Sequence, residues 1–298
     1  MRTERNRPID RVHNLSPDAF RRDYLSRGRP VVLTGITDTW RVRSWTPQYF
    51  RSEFPGVQIK YETWEGDEPV NDPLSFDSMY RKQKNDLTGP ISEFVDRILA
   101  ADKPSRNIYS AEFCVFDAIP QLKNDVASLD AYMGQSRYPQ GVRDRLQLAG
   151  RMWMGPAGII TPAHFDRAEN FHLQVFGRKK WILFSPEDSQ HLYYPCAGFQ
   201  TGLLHFSPVD VEHPDVARFP AFTKAQPIEV ILEPGDLLFL PAGFWHYVRG
   251  LEMSISLNWF FRHPIFTSVA LRHYLYHVAR RKVLERVGLE KLNPEVRV

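Results

Sequence analysis

The sequence predicts a mainly β domain, a sandwich or a barrel, with helices at both ends. Short β-rich runs recur between about residues 106 and 261, separated by turn signals, as expected for such folds. The chain carries 23 prolines, which places many turns and edge strands between those runs. The flanking segments change to helical periodicity.

The elements follow in order. Ser16 precedes Pro17 and Gly28 closes the stretch, so 16–28 predicts a capped helix: serine accepts an orphan N–H, proline presets φ and glycine stops the helix. Pro30-Val31-Val32-Leu33-Thr34-Gly35 predicts a short buried strand ending at a turn. Helical stretches are expected around 74–84 and 90–101. Strands are expected at Ile108-Tyr109-Ser110-Ala111, Trp181-Ile182-Leu183-Phe184, Glu229-Val230-Ile231-Leu232, Leu237-Leu238-Phe239-Leu240 and from Met253 to Phe261. Between them, 120–148 reads as an inserted helical region and 186–227 as a long, proline-punctuated loop. After Pro264 the pattern is helical, with Leu271, Tyr274, Leu275 and Val278 on one stripe. The expected division is 1–105, an N-terminal region packing on the core; 106–262, the core; and 263–298, C-terminal helices.

Composition narrows the function classes. The 298 residues are 43% hydrophobic and 24% charged, ordinary for a globular protein. A net charge of +3 is too small to argue for nucleic acid, which calls for a concentrated basic patch. Arg280-Arg281-Lys282 with Arg286 reads as a solvated helix face. Cys114 and Cys196 form neither a disulfide framework nor a CxxC motif, which suits a reducing cytoplasm. The start, MRTERNRPID, lacks an apolar signal region, and no run approaches the ~20 apolar residues of a membrane span. A cytoplasmic protein without a membrane segment is expected.

The chemistry concentrates in "TPAHFDRAENFHLQVFGRKKWILF", residues 161–184. Residues i and i+2 of a strand share a face, so His164 and Asp166 project together. A third histidine, His246, follows a tight turn in "EPGDLLFLPAGFWH". Taken alone it reads equally as an ordinary pocket histidine. Taken together, the three have the composition of the two-histidine, one-carboxylate triad, which leaves coordination positions open and suits Fe(II). Beyond Asp166, Asn170, His172 and Gln174 alternate with Phe171, Leu173 and Val175. Beyond His246, Ser254, Ser256 and Asn258 alternate with Ile255, Leu257 and Trp259. Two strands therefore offer a polar face for a pocket and an apolar face for packing.

These runs, with "SISLNWFF" and "RPVVLTG", resemble the JmjC-domain oxygenases of the cupin superfamily, in particular small hydroxylases of the type that acts on an asparagine of hypoxia-inducible factor. The resemblance covers most of 29–262. It implies a double-stranded β-helix (jelly-roll, cupin) core with flanking N-terminal and C-terminal α-helices, and Fe(II), 2-oxoglutarate and O2 as cofactor and cosubstrates. It implies His164, Asp166 and His246 as iron ligands, Lys179, Thr161 and Tyr109 around the distal carboxylate of 2-oxoglutarate, and Asn170 and Asn258 beside cosubstrate and iron. A cation meeting that carboxylate in a partly dry pocket is physically required. Lys180 competes for the role, because a one-residue slip reverses facing. Thr161 also reads as a turn residue before Pro162, and Tyr109 as a core aromatic. His172 departs from the apolar residue expected there. The implied reaction is hydroxylation of a C–H in a protein or peptide side chain or a small molecule, with N-demethylation ranked below it. A metal-binding cupin without oxygenase activity is the alternative. The C-terminal helices of the resembled hydroxylases imply a homodimer.

Overall fold

The computed structural model describes residues 8–63, 85–100, 107–134, 150–166, 168–193 and 206–261, with two helical positions at 279 and 283. Thirteen strands run through them: β1 Asp10–His13, β2 Val31–Thr34, β3 Gln58–Thr63, β4 Asn85–Pro90, β5 Ile108–Cys114, β6 Arg151–Gly155, β7 Ile160–Phe165, β8 Glu169–Phe176, β9 Lys179–Phe184, β10 Ile228–Leu232, β11 Leu237–Leu240, β12 Trp245–Gly250 and β13 Ser254–Phe261. They form a nine-stranded sheet, β1-β2-β11-β8-β13-β6-β5-β3-β4, and a four-stranded sheet, β10-β9-β12-β7. From β6 onward the chain changes sheet at every connection except β9 to β10, which is the winding of a jelly roll.

Period-2 burial sorts the strands into layers. Val31, Leu33, Phe171, Leu173, Leu237, Phe239, Ile255, Leu257 and Phe261 pack with Phe20, Trp45 and Phe50 on the outer face of the large sheet. Val32, Leu238 and Leu240 project the other way and meet Trp181, Leu183, Leu232 and Val248 between the sheets. Phe165, Phe184, Trp245 and Tyr247 form a third cluster with Leu192, Val211 and Ala225 of the 186–227 segment, outside the small sheet. Each fully buried side chain of this size contributes about 1.5–3 kcal/mol.

Three helices cover the large sheet. Ser16 Oγ accepts from Ala19 N–H, and Pro17 opens α1, Pro17–Phe20, which widens into a π-helical turn, Arg21–Leu25, before Gly28 at φ +59°. The second, α2 Pro47–Glu53, is capped by Thr46. The third, α3 Ile91–Leu99, buries Ile91, Phe94, Val95 and Ile98, one helical stripe. The stretch 74–84 lies outside the described residues. Of 120–148, a 3-10 turn at Pro120–Asp125 and a single α-turn at Asp130–Met133 are described. The 186–227 loop contains 3-10 turns at Pro186–Gln190 and Pro220–Lys224.

Candidate metal centre and anion pocket

His164 and His246 are direct cross-strand partners in the antiparallel β7–β12 pair. Residues so placed have neighbouring side chains, and the two imidazoles lie 4.1 Å apart between ring centroids. Asp166 sits one residue beyond the end of β7. The ligand atoms of His164, Asp166 and His246 all fall within 4.8 Å of one another, with His246 Nε2 3.7 Å from Asp166 Oδ2. Each imidazole is held from behind: His164 Nδ1 lies 2.8 Å from the Pro162 carbonyl and His246 Nδ1 3.1 Å from that of Phe244. A carbonyl only accepts, so both Nδ1 atoms carry the proton and both Nε2 atoms present a lone pair. Burial raises the Asp166 carboxyl above its ordinary value, and His164 beside it opposes the shift. A bound dication would keep the carboxylate ionised. Two imidazoles and one carboxylate, oriented in this way, are a donor set that fits a divalent transition metal.

The second half of the site begins at Gly177. Its φ is +66°, and a Cβ there would stand 2.0 Å from the Met253 carbonyl oxygen, so only glycine makes this crossing from β8 to β9. The crossing fixes the register that turns Lys179 inward and Lys180 outward. Lys179 is 2% exposed. Its Nζ donates to Ser256 Oγ at 2.7 Å and lies 6.0 Å from the centre of the Tyr109 ring. Burial pulls the ammonium down to about 7. Lys180 faces Glu229 at 3.1 Å and Glu212 at 3.6 Å on the outside. Tyr109 is buried, which raises its phenol above the usual value, and the neighbouring Thr161 side chain opposes that shift. Gly155 makes room for it, since a Cβ there would meet the ring at 2.5 Å.

Thr161 and His164, three residues apart, belong on opposite faces of a regular strand. Three steps along β7 (Thr161 to His164) oppose two along β12 (Val248 to His246). The extra residue is a bulge, and it lets both positions address the interior. Pro162 and Ala163 together oppose Tyr247 there, and the proline has no N–H to give the ladder.

The inner polar face is partly closed on itself. His172 and Asn258 are register partners on β8 and β13 and bond through Nδ1 and Oδ1 at 2.8 Å. His172 Nε2 faces Gln174 Oε1 at 3.4 Å. Burial, then Lys179, hold His172 down at about 3, so the ring is neutral and has one N–H, which Nδ1 donates to Asn258 Oδ1 in the shorter contact. Gln174 spends its Nε2–H groups on the Phe176 and Gly177 carbonyls. Asn170 is 1% exposed and its Oδ1 has no hydrogen-bond partner among the described residues. Trp181 Nε1 is likewise buried without a partner among the described residues, and its ring stacks on His246 at 5.6 Å.

Three neighbours were given no role in the site from the sequence, although Ser256 was read on its polar face. Ser256 lies on the alternating polar face of β13, and Trp181 is two residues from Lys179, so both were findable by period 2. Phe206 was not: it stacks on His164 at 5.0 Å and forms an isolated antiparallel bridge to it, a long-range contact without a local signal.

A jelly roll that converges two histidines and a carboxylate on its interior is the architecture of a metal-binding cupin. Residues 17–267 match the model of the cupin-like domain family, and the chain belongs to that family. It is 34% identical over 256 residues to lysine-specific demethylase 8 of Danio rerio, covering 84% of this chain and 57% of that protein. It is 30% identical to lysine-specific demethylase JMJ30 of Arabidopsis thaliana, covering 84% and 54%. It is 29% identical to tRNA wybutosine-synthesizing protein 5 of Danio rerio, covering 84% and 74%. The chain spans about half the length of the first curated relatives it matches.

Proposed function

We propose that this chain is an Fe(II)- and 2-oxoglutarate-dependent hydroxylase acting on a C–H of a protein or peptide side chain or a small molecule. The observation that carries this reading is the buried Lys179, whose ammonium has a hydroxyl rather than a carboxylate as its hydrogen-bond partner, in the same interior as the His164–Asp166–His246 cluster. Trp181 spans the two halves, its ring centroid 4.6 Å from that of His172 and 5.6 Å from that of His246, which supports reading them as one site. A buried cation of this kind calls for an anion.

His164 and His246 through Nε2, and Asp166 through its carboxylate, would hold the iron. When bound, iron supplies oxidative decarboxylation of 2-oxoglutarate to succinate and CO2, coupled to insertion of one oxygen atom into a substrate C–H. Lys179 neutralises the distal carboxylate, with Ser256, Tyr109 and Thr161 as hydroxyl donors beside it. Asn170 and Asn258 are assigned to the cosubstrate and metal side, and the Val32–Leu238–Leu240 cluster keeps water from the anion end. N-demethylation is the same chemistry on a methyl carbon beside nitrogen, and the names of the demethylase relatives favour it as the second reading.

The reading includes a homodimer through the helices of 263–298, of which only positions 279 and 283 are described, and a cytoplasmic site of action. No helix among the described residues is long and apolar enough to cross a membrane. The test is mass spectrometry of cellular peptides and metabolites with and without the protein. A one-oxygen gain that requires wild type and is absent with Asp166→Ala supports hydroxylation. A methyl loss with the same dependence replaces it with demethylation.

A further inference from the structure

Glu169 opens β8 and is 2% exposed, a place where a carboxylate is costly unless hydrogen bonds satisfy it. Its neighbour Asn170 pairs with Leu240, so Glu169 lies where β11 ends and the 241–244 turn begins. Glu169 Oε2 accepts the buried N–H of Ala242 at 2.8 Å. The next turn residue, Gly243, donates its N–H to the Asp166 carbonyl at 2.8 Å. The one after it, Phe244, offers its carbonyl to His246 Nδ1 at 3.1 Å, while its own N–H closes the turn on Pro241 at 3.1 Å. One short turn therefore touches Glu169, the backbone of Asp166 and the ring of His246.

We infer that Glu169 is a positioning residue, whose carboxylate anchors the 241–244 turn and so sets the separation of Asp166 from His246. The inference rests on the triad reading above. The turn has a weak point, because Gly243 at φ +83° is the residue with the widest backbone freedom. Without the bond to Ala242 the turn keeps the bonds of Gly243 to Asp166 and of Phe244 to Pro241 but loses its side-chain tie to β8, and the Phe244 carbonyl then shifts relative to His246. Partners of this outer kind, when removed, cost metal sites about 10–100-fold in affinity.

The test is a Co(II) titration of the purified full chain, followed by the absorption spectrum of the bound ion. Glu169→Gln keeps an acceptor oxygen at the same reach, whereas Glu169→Met keeps the volume without the acceptor. Glu169→Gln is expected to bind as wild type does, and Glu169→Met to lose about 10–100-fold with an altered Co(II) spectrum. Glu169→Asp folds with its charge but stops one methylene short of Ala242, and it is expected to behave as Glu169→Met does. Wild-type affinity and spectrum in the Met or Asp variant would overturn the inference, as would a Gln variant that loses as much as Met. Wild-type Co(II) binding by Asp166→Ala would instead remove the triad reading itself.

Discussion

Lys179 is a fully buried cation that meets a hydroxyl and an aromatic ring, and its chemistry is measurable. A hydrogen bond to a charged group contributes roughly 1.5–3 kcal/mol, so Lys179→Ala should weaken 2-oxoglutarate binding by roughly ten- to more than a hundredfold and leave metal affinity little changed. Lys180→Ala, which removes only surface pairs to Glu229 and Glu212, should do neither; the reverse result would mean that Lys180 faces the anion. The ammonium also reports on pH. Its folded value, about 7, lies below the ordinary 10.5. Below about 7 the group is protonated in both folded and unfolded chains, and its burial penalty is fully present. Between the two values the unfolded chain binds more protons, so this group makes the ligand-free protein more stable as pH rises. An arriving dianion restores the charge, so binding near pH 8 should take up a proton and binding near pH 6 should not. Calorimetry in two buffers of different ionisation heat reads this directly, and equal uptake at both pH values would contradict it. The facing of Lys179 was legible because Gly177 and the following apolar run fix the register. That of Thr161 was not, because the bulge at Pro162 breaks the period on which any such reading depends.

At the scale of the element, Gly177 is the joint that turns β8 into β9. Gly177→Ala meets both an unfavourable φ and the Met253 carbonyl, so a loss of at least about 1 kcal/mol is expected. Thermal unfolding together with 2-oxoglutarate affinity checks this: both should fall in Gly177→Ala, whereas Lys179→Ala should lose affinity without a matching loss of stability. A Gly177→Ala protein that melts and binds like wild type would show that the crossing tolerates a side chain. Local chemistry made several elements readable in advance. Ser16 and Pro17 start α1, and the Pro-Gly-Asp and Pro-Ala-Gly turns bracket β11. Of the helical reading of 120–148, short turns over Pro120–Asp125 and Asp130–Met133 are described, and 135–148 lies outside the described residues. Pro120 opens the first of these turns and the left-handed Gly134, at φ +67°, ends the second.

At the scale of the molecule, alternation in single strands foretold a two-faced sheet, but not which strands would be neighbours. The pairing of β2 with β11, which brings the N-terminal segment into the large sheet, comes from long-range burial that no local pattern encodes. Assembly is open to measurement at the same scale. Sedimentation at micromolar concentration should give a dimer, and deletion of 263–298 should give a monomer; an active full-length monomer would exclude the dimer as the working form. The central claim is that His164, Asp166 and His246 hold an iron that turns over 2-oxoglutarate. Its most direct test is succinate release from isotopically labelled 2-oxoglutarate by the purified protein with Fe(II) and O2, comparing wild type with Asp166→Ala and His172→Ala. Iron-dependent succinate from wild type, none from Asp166→Ala and retained iron in His172→Ala is the expected result. Iron-loaded wild type that releases no succinate, or an Asp166→Ala protein that releases as much, would contradict it.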